Sequence, residues 1–338
     1  MNDEVLLKVD DVRKEFPTHS KEVVQAVAGV SLEVHTGETL GLVGETGCGK
    51  STLARCMARL YDVTSGSVWF EGKDITKLSR KAMQPLRRDV QVIFQDPYGS
   101  LNPRRRVGSI IGDPFAIHKI ASGNERKKKV QDLMELVGLN PEHYNRFPAE
   151  FSGGQRQRIG VARALALRPK LVICDEPVSA LDVSIQAQII NLLADLQKEL
   201  NLTYVFITHD LSVVRHVSDR IAVMYLGKIV ELAPTEQLFG MTRHPYTRAL
   251  LSALPVADPD TADSREQIIL GGDIPAATNP PEGCRFHTRC PKARLDCAAE
   301  VPPLEPVLDD GPGHRTACFY PLTVGEDLST AVPDLKAS

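Results

Sequence analysis

The 338 residues suffice for two domains, or for one large domain with an extension. Hydrophobic residues make up 42% and charged residues 25%, the balance of a globular chain, and a formal net charge of −3 argues against a general nucleic-acid binder. No run of 18 apolar residues occurs, and the acidic start Met1-Asn2-Asp3-Glu4 lacks a signal-peptide apolar core; the chain is therefore expected in the cytoplasm, reaching a membrane only through a partner.

Along the chain, Leu6-Leu7-Lys8-Val9, Val23-Val24-Gln25-Ala26-Val27 and Ser31-Leu32-Glu33-Val34 are short β-like runs separated by Pro17, Gly29 and Gly37, which predicts an antiparallel β layer. Thr39-Leu40-Gly41-Leu42-Val43 reads as a buried strand, and the helical pattern of Leu53, Met57 and Leu60 follows it. Between them lies Gly44-Glu45-Thr46-Gly47-Cys48-Gly49-Lys50-Ser51, which fits G-x-x-x-x-G-K-[ST]. Glycines there let the backbone wrap tightly and aim N–H groups at phosphate oxygens. Lys50 would reach the β- and γ-phosphates, Ser51 would ligate Mg²⁺, and Thr52 opens a helix whose positive end faces the same phosphates. Strand, loop and helix in that order predict a nucleoside triphosphate site.

Gly66-Ser67-Val68-Trp69-Phe70-Glu71-Gly72 and Val90-Gln91-Val92-Ile93-Phe94 are further strand signals. Residues from about 98 to 165 are mostly helical in pattern, which predicts an inserted helical subdomain. The basic run Arg126-Lys127-Lys128-Lys129 within it reads as a solvated helix face. In Phe151-Ser152-Gly153-Gly154-Gln155, Ser152 is suited to cap the next helix, and two glycines at its first turn leave N–H groups open to an anion. Strand and helix then alternate through residues 171–174, 184–200 and 204–207, the pattern of a parallel sheet covered by helices. Asp175 and Glu176 end the first of these strands, where one carboxylate can hold the Mg²⁺ shell and the other can position water. Beyond about residue 255, prolines, glycines and cysteines dominate and mark a separate, irregular module.

Gly44 to Ser51, Gln95, Ser152-Gly153-Gly154-Gln155, Asp175-Glu176, Ser179-Ala180-Leu181-Asp182 and His209 occur in the order seen in ABC-type ATPases. The chain resembles that family over roughly residues 5–235, with Phe151 in place of the usual leucine before the serine. The resemblance implies an α/β P-loop NTPase (RecA-like) core, an antiparallel β subdomain and a helical subdomain. It also implies a head-to-tail dimer in which each ATP sits between Lys50 of one subunit and Ser152-Gly153-Gly154 of the other. Gln95 would sense Mg²⁺ and water, Glu176 would be catalytic, His209 would touch the γ-phosphate and Asp182 would organise the interface. Phe16 is the candidate for stacking on adenine, with Val23 or Val24 nearby.

A narrower resemblance rests on residues 92–103 and on His244-Pro245-Tyr246-Thr247-Arg248-Ala249-Leu250. Both are similar to ATPases of oligopeptide and dipeptide importers, a subfamily that also holds some nickel importers. It implies that residues 96–115 receive the membrane permease.

Seven cysteines are present. Cys48, Cys56 and Cys174 fall in the ATPase core and read as small hydrophobes. Cys284, Cys290, Cys297 and Cys318 cluster in the tail; a cytoplasmic chain disfavours disulfides, and spacing alone leaves zinc and an iron–sulfur cluster open. The similarity of Cys284-Arg285-Phe286-His287-Thr288-Arg289-Cys290-Pro291 to the importer tail implies a [4Fe–4S] cluster ahead of Zn²⁺.

The domains expected are a nucleotide-binding domain over 1–255 and an extension over 256–338. The function expected is that of an ATPase subunit energising peptide import at the cytoplasmic face of the membrane, without nucleic acid. Its implied partners are two permease subunits, a second ATPase subunit (homologous or identical) and an extracytoplasmic solute-binding protein. A soluble ABC ATPase of translation or DNA repair would instead predict tandem ATPase domains, a long coiled coil or a strongly basic face.

Overall fold

A computed structural model describes residues 4–18, 22–96, 98–254, 268–308, 310–311, 313–326 and 328. The chain divides into two compact units. The first comprises Met1–Leu7, Val34–Thr39 and Phe70–Thr208; the second comprises Lys8–Glu33, Leu40–Trp69 and His209–Ser338.

In the first unit, strands β6 (Val90–Ile93), β7 (Leu171–Asp175) and β8 (Thr203–Ile207) run parallel in the order β8-β7-β6. Ile93 pairs with Cys174 and Asp175 with Ile207, so all three carboxyl ends finish along one edge. Every residue of β7 and β8 is buried, as unbroken apolar runs require when both faces of a sheet are covered. Helix α6 (Val183–Leu200) buries Ile189, Leu193 and Leu196, one stripe at helical spacing, and stops at Asn201 in the left-handed conformation (φ 50°). Helices α3 (Val107–Ile117), α4 (Gly123–Leu136) and α5 (Gly153–Leu165) pack on one another. In α4 only Val130 and Met134 are buried, and Lys127 and Lys128 face solvent. A two-residue strand β5 (Lys73–Asp74) and helix α2 (Arg80–Leu86) complete the unit's first half.

The second unit holds most of β2 (Val23–His35), β1 (Val5–Pro17) and β4 (Ser65–Phe70), which lie side by side in that order. Each of the first two is a continuous strand of 13 residues, where the turn residues suggest shorter runs; β2 absorbs Gly29 at φ 86° without breaking. The other sheet of this unit runs β11-β12-β10-β9-β3. Strand β3 (Thr39–Val43) is parallel to β9 (Arg220–Tyr225), which turns through Leu226-Gly227 into antiparallel β10 (Lys228–Pro234). Both turn residues have positive φ, 40° and 81°, as a tight hairpin of this hand demands. Helices α1 (Lys50–Met57), α7 (Leu211–Val217), α8 (Thr235–Gly240) and α9 (Pro245–Ser252) belong here too.

The proline-rich tail does not stand apart from this sheet. Strand β12 (Arg315–Thr316) pairs antiparallel with β10, and β11 (Glu305–Pro306) pairs with β12. Glu231 of β10 is fully buried and accepts from the backbone N–H groups of Arg243 (2.7 Å) and His244 (3.1 Å), with His314 Nε2 2.8 Å away. The Arg243 guanidinium forms a two-point ion pair with Asp310 and donates to the Leu322 carbonyl at 2.7 Å. These bonds replace the apolar core that the tail's composition denies it. Among the described residues no helix is long and apolar enough to cross a membrane.

Candidate nucleotide site

The glycine-rich loop of residues 44–51 starts where β3 ends and is shaped by close backbone approach. At Gly44 (φ 154°) a Cβ would lie 2.1 Å from the Met224 carbonyl oxygen, and at Gly49 (φ 107°) 2.0 Å from that of Ala26. Only glycine fits either place, and Gly49 then serves as the N-cap of α1. Lys50 is 4% exposed, folded back beneath the loop, and its Nζ donates to the carbonyls of Gly44 (2.8 Å) and Glu45 (3.0 Å). Ser51 and Thr52 occupy the first turn of α1. Burial pushes the Cys48 thiol up against the opposing pull of Lys50, which keeps it protonated and inert.

Glu45 is held at every polar group. Its N–H donates to the Tyr246 hydroxyl (2.9 Å), its carbonyl accepts from Lys50, and its carboxylate accepts from Arg289 Nη1 (2.9 Å) and Nη2 (3.2 Å). Tyr246 is fully buried against Tyr225 and Phe286, with ring centroids 4.7 and 5.4 Å away. Sequence reasoning assigns no role to Tyr246 or Arg289. The available signal is a tyrosine inside the importer-like His244-Pro245-Tyr246 string and an arginine set between two tail cysteines.

Elsewhere in the second unit, Phe16 packs edge-on against Tyr61 (5.7 Å) with Lys14 Nζ 4.8 Å above its ring. Val23 is exposed and Val24 half-buried on β2. His209 is exposed just before α7, whose first turn Asp210 caps by accepting from Ser212 N–H (2.8 Å).

In the first unit, Gln95 lies two residues past β6 and Glu176 one residue past β7, on the edge where the parallel strands end. Gln95 Nε2 donates to Glu176 Oε2 at 2.8 Å and reaches Ser179 Oγ at 3.4 Å. Glu176 holds φ 47°, uncommon for a residue with a Cβ, and its N–H donates to the Ile207 carbonyl (3.0 Å). Asp175 is buried, 2% exposed.

Ser152 caps α5 reciprocally with Gln155: Oγ accepts from Gln155 N–H (3.3 Å) and Gln155 Oε1 accepts from Ser152 N–H (3.0 Å). Gly154 is required by packing, since a Cβ there would meet Ile185 Cγ2 of α6 at 2.5 Å. Phe151 is buried, edge-on to His143 at 5.8 Å. Asp182 is the exposed N-cap of α6. Of residues 96–115, Pro97 lies outside the described residues; Tyr98 is exposed beneath the Arg156 guanidinium, 4.1 Å from its ring centroid.

The four tail cysteines are free thiols lining one small cavity with His244 and Phe286. Burial pushes Cys290 and Cys318 up to about 12, and the neighbouring thiols add to that rise. Among the described residues, no group of three or more His, Cys, Asp or Glu side chains is placed to hold a metal ion.

Residues 27–179 match the ABC transporter family, and residues 230–297 match the oligopeptide/dipeptide transporter C-terminal region. The chain is 53% identical over 324 residues to the oligopeptide transport ATP-binding protein AppF of Bacillus subtilis, covering 94% of this chain and 98% of that one. It is 48% identical to the dipeptide transport ATP-binding protein DppF of Escherichia coli, with 93% and 94% covered. Among solved structures it is similar to the dimeric post-hydrolysis form of the ATP-binding cassette MJ0796 bound to ADP and phosphate. That likeness has a TM-score of 0.63 and 29% identity over 68% of this chain and 99% of that one.

Proposed function

Given that the chain belongs to the ATP-binding subunits of oligopeptide and dipeptide ABC transporters, we propose how its residues divide the work. It hydrolyses ATP, and the hydrolysis energises peptide import. The observation that carries the assignment is the phosphate loop, with Lys50 buried beneath backbone that only Gly44 and Gly49 permit.

Residues 44–52 grip the substrate's phosphates, and Phe16 stacks on the adenine. The side chains of Ser51, Gln95 and Asp175 are oxygen donors suited to Mg²⁺, whose bound charge offsets that of the phosphates. Glu176 orients the attacking water and takes its proton as the bond from the γ-phosphorus to the bridging oxygen breaks, releasing ADP and phosphate. The 2.8 Å bond from Gln95 fixes that carboxylate. His209 touches the γ-phosphate. The capped tip of α5, Ser152 to Gln155, faces the nucleotide of a second ATPase subunit, and Asp182 steadies the interface. Replacing Glu176 with Gln is expected to cut phosphate release by roughly 10²- to 10⁴-fold while MgATP still binds. Turnover near the parent rate would sink the assigned role.

The working division is a nucleotide-binding domain over 1–255, its helical subdomain about 98–165, and an extension over 256–338. Residues 96–115 meet the two permease subunits at the cytoplasmic face, and a solute-binding protein delivers the peptide outside. Cys284, Cys290, Cys297 and Cys318 hold a [4Fe–4S] cluster: four thiols around one cavity are the donor chemistry it needs, and its charge would favour the thiolates that burial disfavours. Such a cluster would staple a segment with little apolar core. Anaerobic purification should then yield about four iron and four sulfide per chain, and material free of sulfide would overturn the cluster.

A further inference from the structure

We propose that Arg289 and Tyr246 are positioning residues for nucleotide binding, acting through Glu45 from the C-terminal part of the chain. The inference rests on the reading of Gly44 to Ser51 as the triphosphate site.

Glu45 brings a carboxylate into a loop built to receive a polyanion. Left alone, that charge would repel the incoming phosphates. Arg289 neutralises it through two parallel N–H···O bonds, with side chains only 8% and 24% exposed, so solvent does little of the screening. Arg289 also reaches the Tyr225 hydroxyl at 3.5 Å, which fixes the guanidinium against the buried aromatic group. Tyr246 acts on the backbone instead. By accepting from the Glu45 N–H it sets the direction of the peptide that follows Gly44, at the point where the loop leaves β3. With Lys50 on the carbonyl, the residue has no polar group left to turn with. The loop's shape is thus held from outside by two side chains 201 and 244 positions further along.

The test measures MgADP affinity by titration calorimetry on the full chain, alongside melting temperature. Arg289→Met is expected to weaken binding roughly tenfold or more, because a half-buried carboxylate is left uncompensated beside the phosphates. The double variant Glu45→Gln/Arg289→Met should recover most of the loss, since the repelling charge is gone. Arg289→Lys should fall between, keeping the charge without the fork. Tyr246→Phe should weaken binding severalfold, leaving one N–H unsatisfied.

Unchanged affinity in folded Arg289→Met would overturn the proposal. So would a loss that Glu45→Gln fails to restore, because a purely structural arginine would lower the melting temperature without that rescue. Lys50→Ala is the control for the site itself: undiminished binding there would overturn the reading of the loop, and the proposal with it.

Discussion

Glu176 occupies left-handed backbone, a conformation that costs a residue with a Cβ about 1–2 kcal/mol. The fold maintains it through the Glu176 N–H bond to Ile207 and the side-chain bond from Gln95. The carboxylate is therefore delivered in one direction rather than several, as the water-orienting role proposed for it requires. The phosphate loop follows the same logic in its glycines. Gly49→Ala would place a methyl 2.0 Å from a backbone carbonyl at φ 107°. A destabilisation above about 4 kcal/mol is expected in urea titration, together with loss of nucleotide binding. A near-native midpoint would show that the Ala26 strand yields more easily than the geometry implies.

At the level of elements, the bond between tail and core is electrostatic as much as apolar. Arg243 and Asp310 are buried together, and removing the arginine leaves an uncompensated carboxylate worth about 3–5 kcal/mol. The Arg243 hydrogen bonds, then its charge and that of His314, hold the Asp310 carboxyl below its ordinary value of 3.8. The unfolded chain therefore takes up this proton first as pH falls. Stability from the pair is complete above the ordinary carboxylate range and is lost as pH drops through the lower folded value. Arg243→Met should both lower the melting temperature at neutral pH and flatten its fall below about pH 4. An equally steep acid slope in the variant would show that other groups carry it.

Strands β3, β6, β7 and β8 are legible because each is a short, mainly apolar run, and the loop is legible because its glycines and lysine recur at fixed spacing. The β9–β10 hairpin is not, since two apolar runs flanking Leu226-Gly227 look the same whether they pair with each other or with neighbours. Gln95 and Glu176 are legible as separate candidates, but their bond spans 81 positions and no local pattern records it. Gly154 is foreseen as an opening for an anion; that it also admits Ile185 requires knowing where α6 lies.

For the whole molecule, the proposed pairing of two ATPase subunits predicts a change of mass. Glu176→Gln with MgATP should run as a dimer by light scattering and return to monomer when ADP replaces ATP. A monomer under both conditions would exclude nucleotide as the glue.

The contact between Glu45 and Arg289 joins positions 244 apart. During synthesis the phosphate loop leaves the ribosome long before the arginine that completes it is made. Incomplete chains therefore carry every familiar ATP motif yet lack the final peg, and prematurely ended ones would be poor consumers of cellular ATP. Under the proposal above, tight nucleotide binding waits for residue 289, which emerges 80 positions after His209, the last of the ATPase motifs.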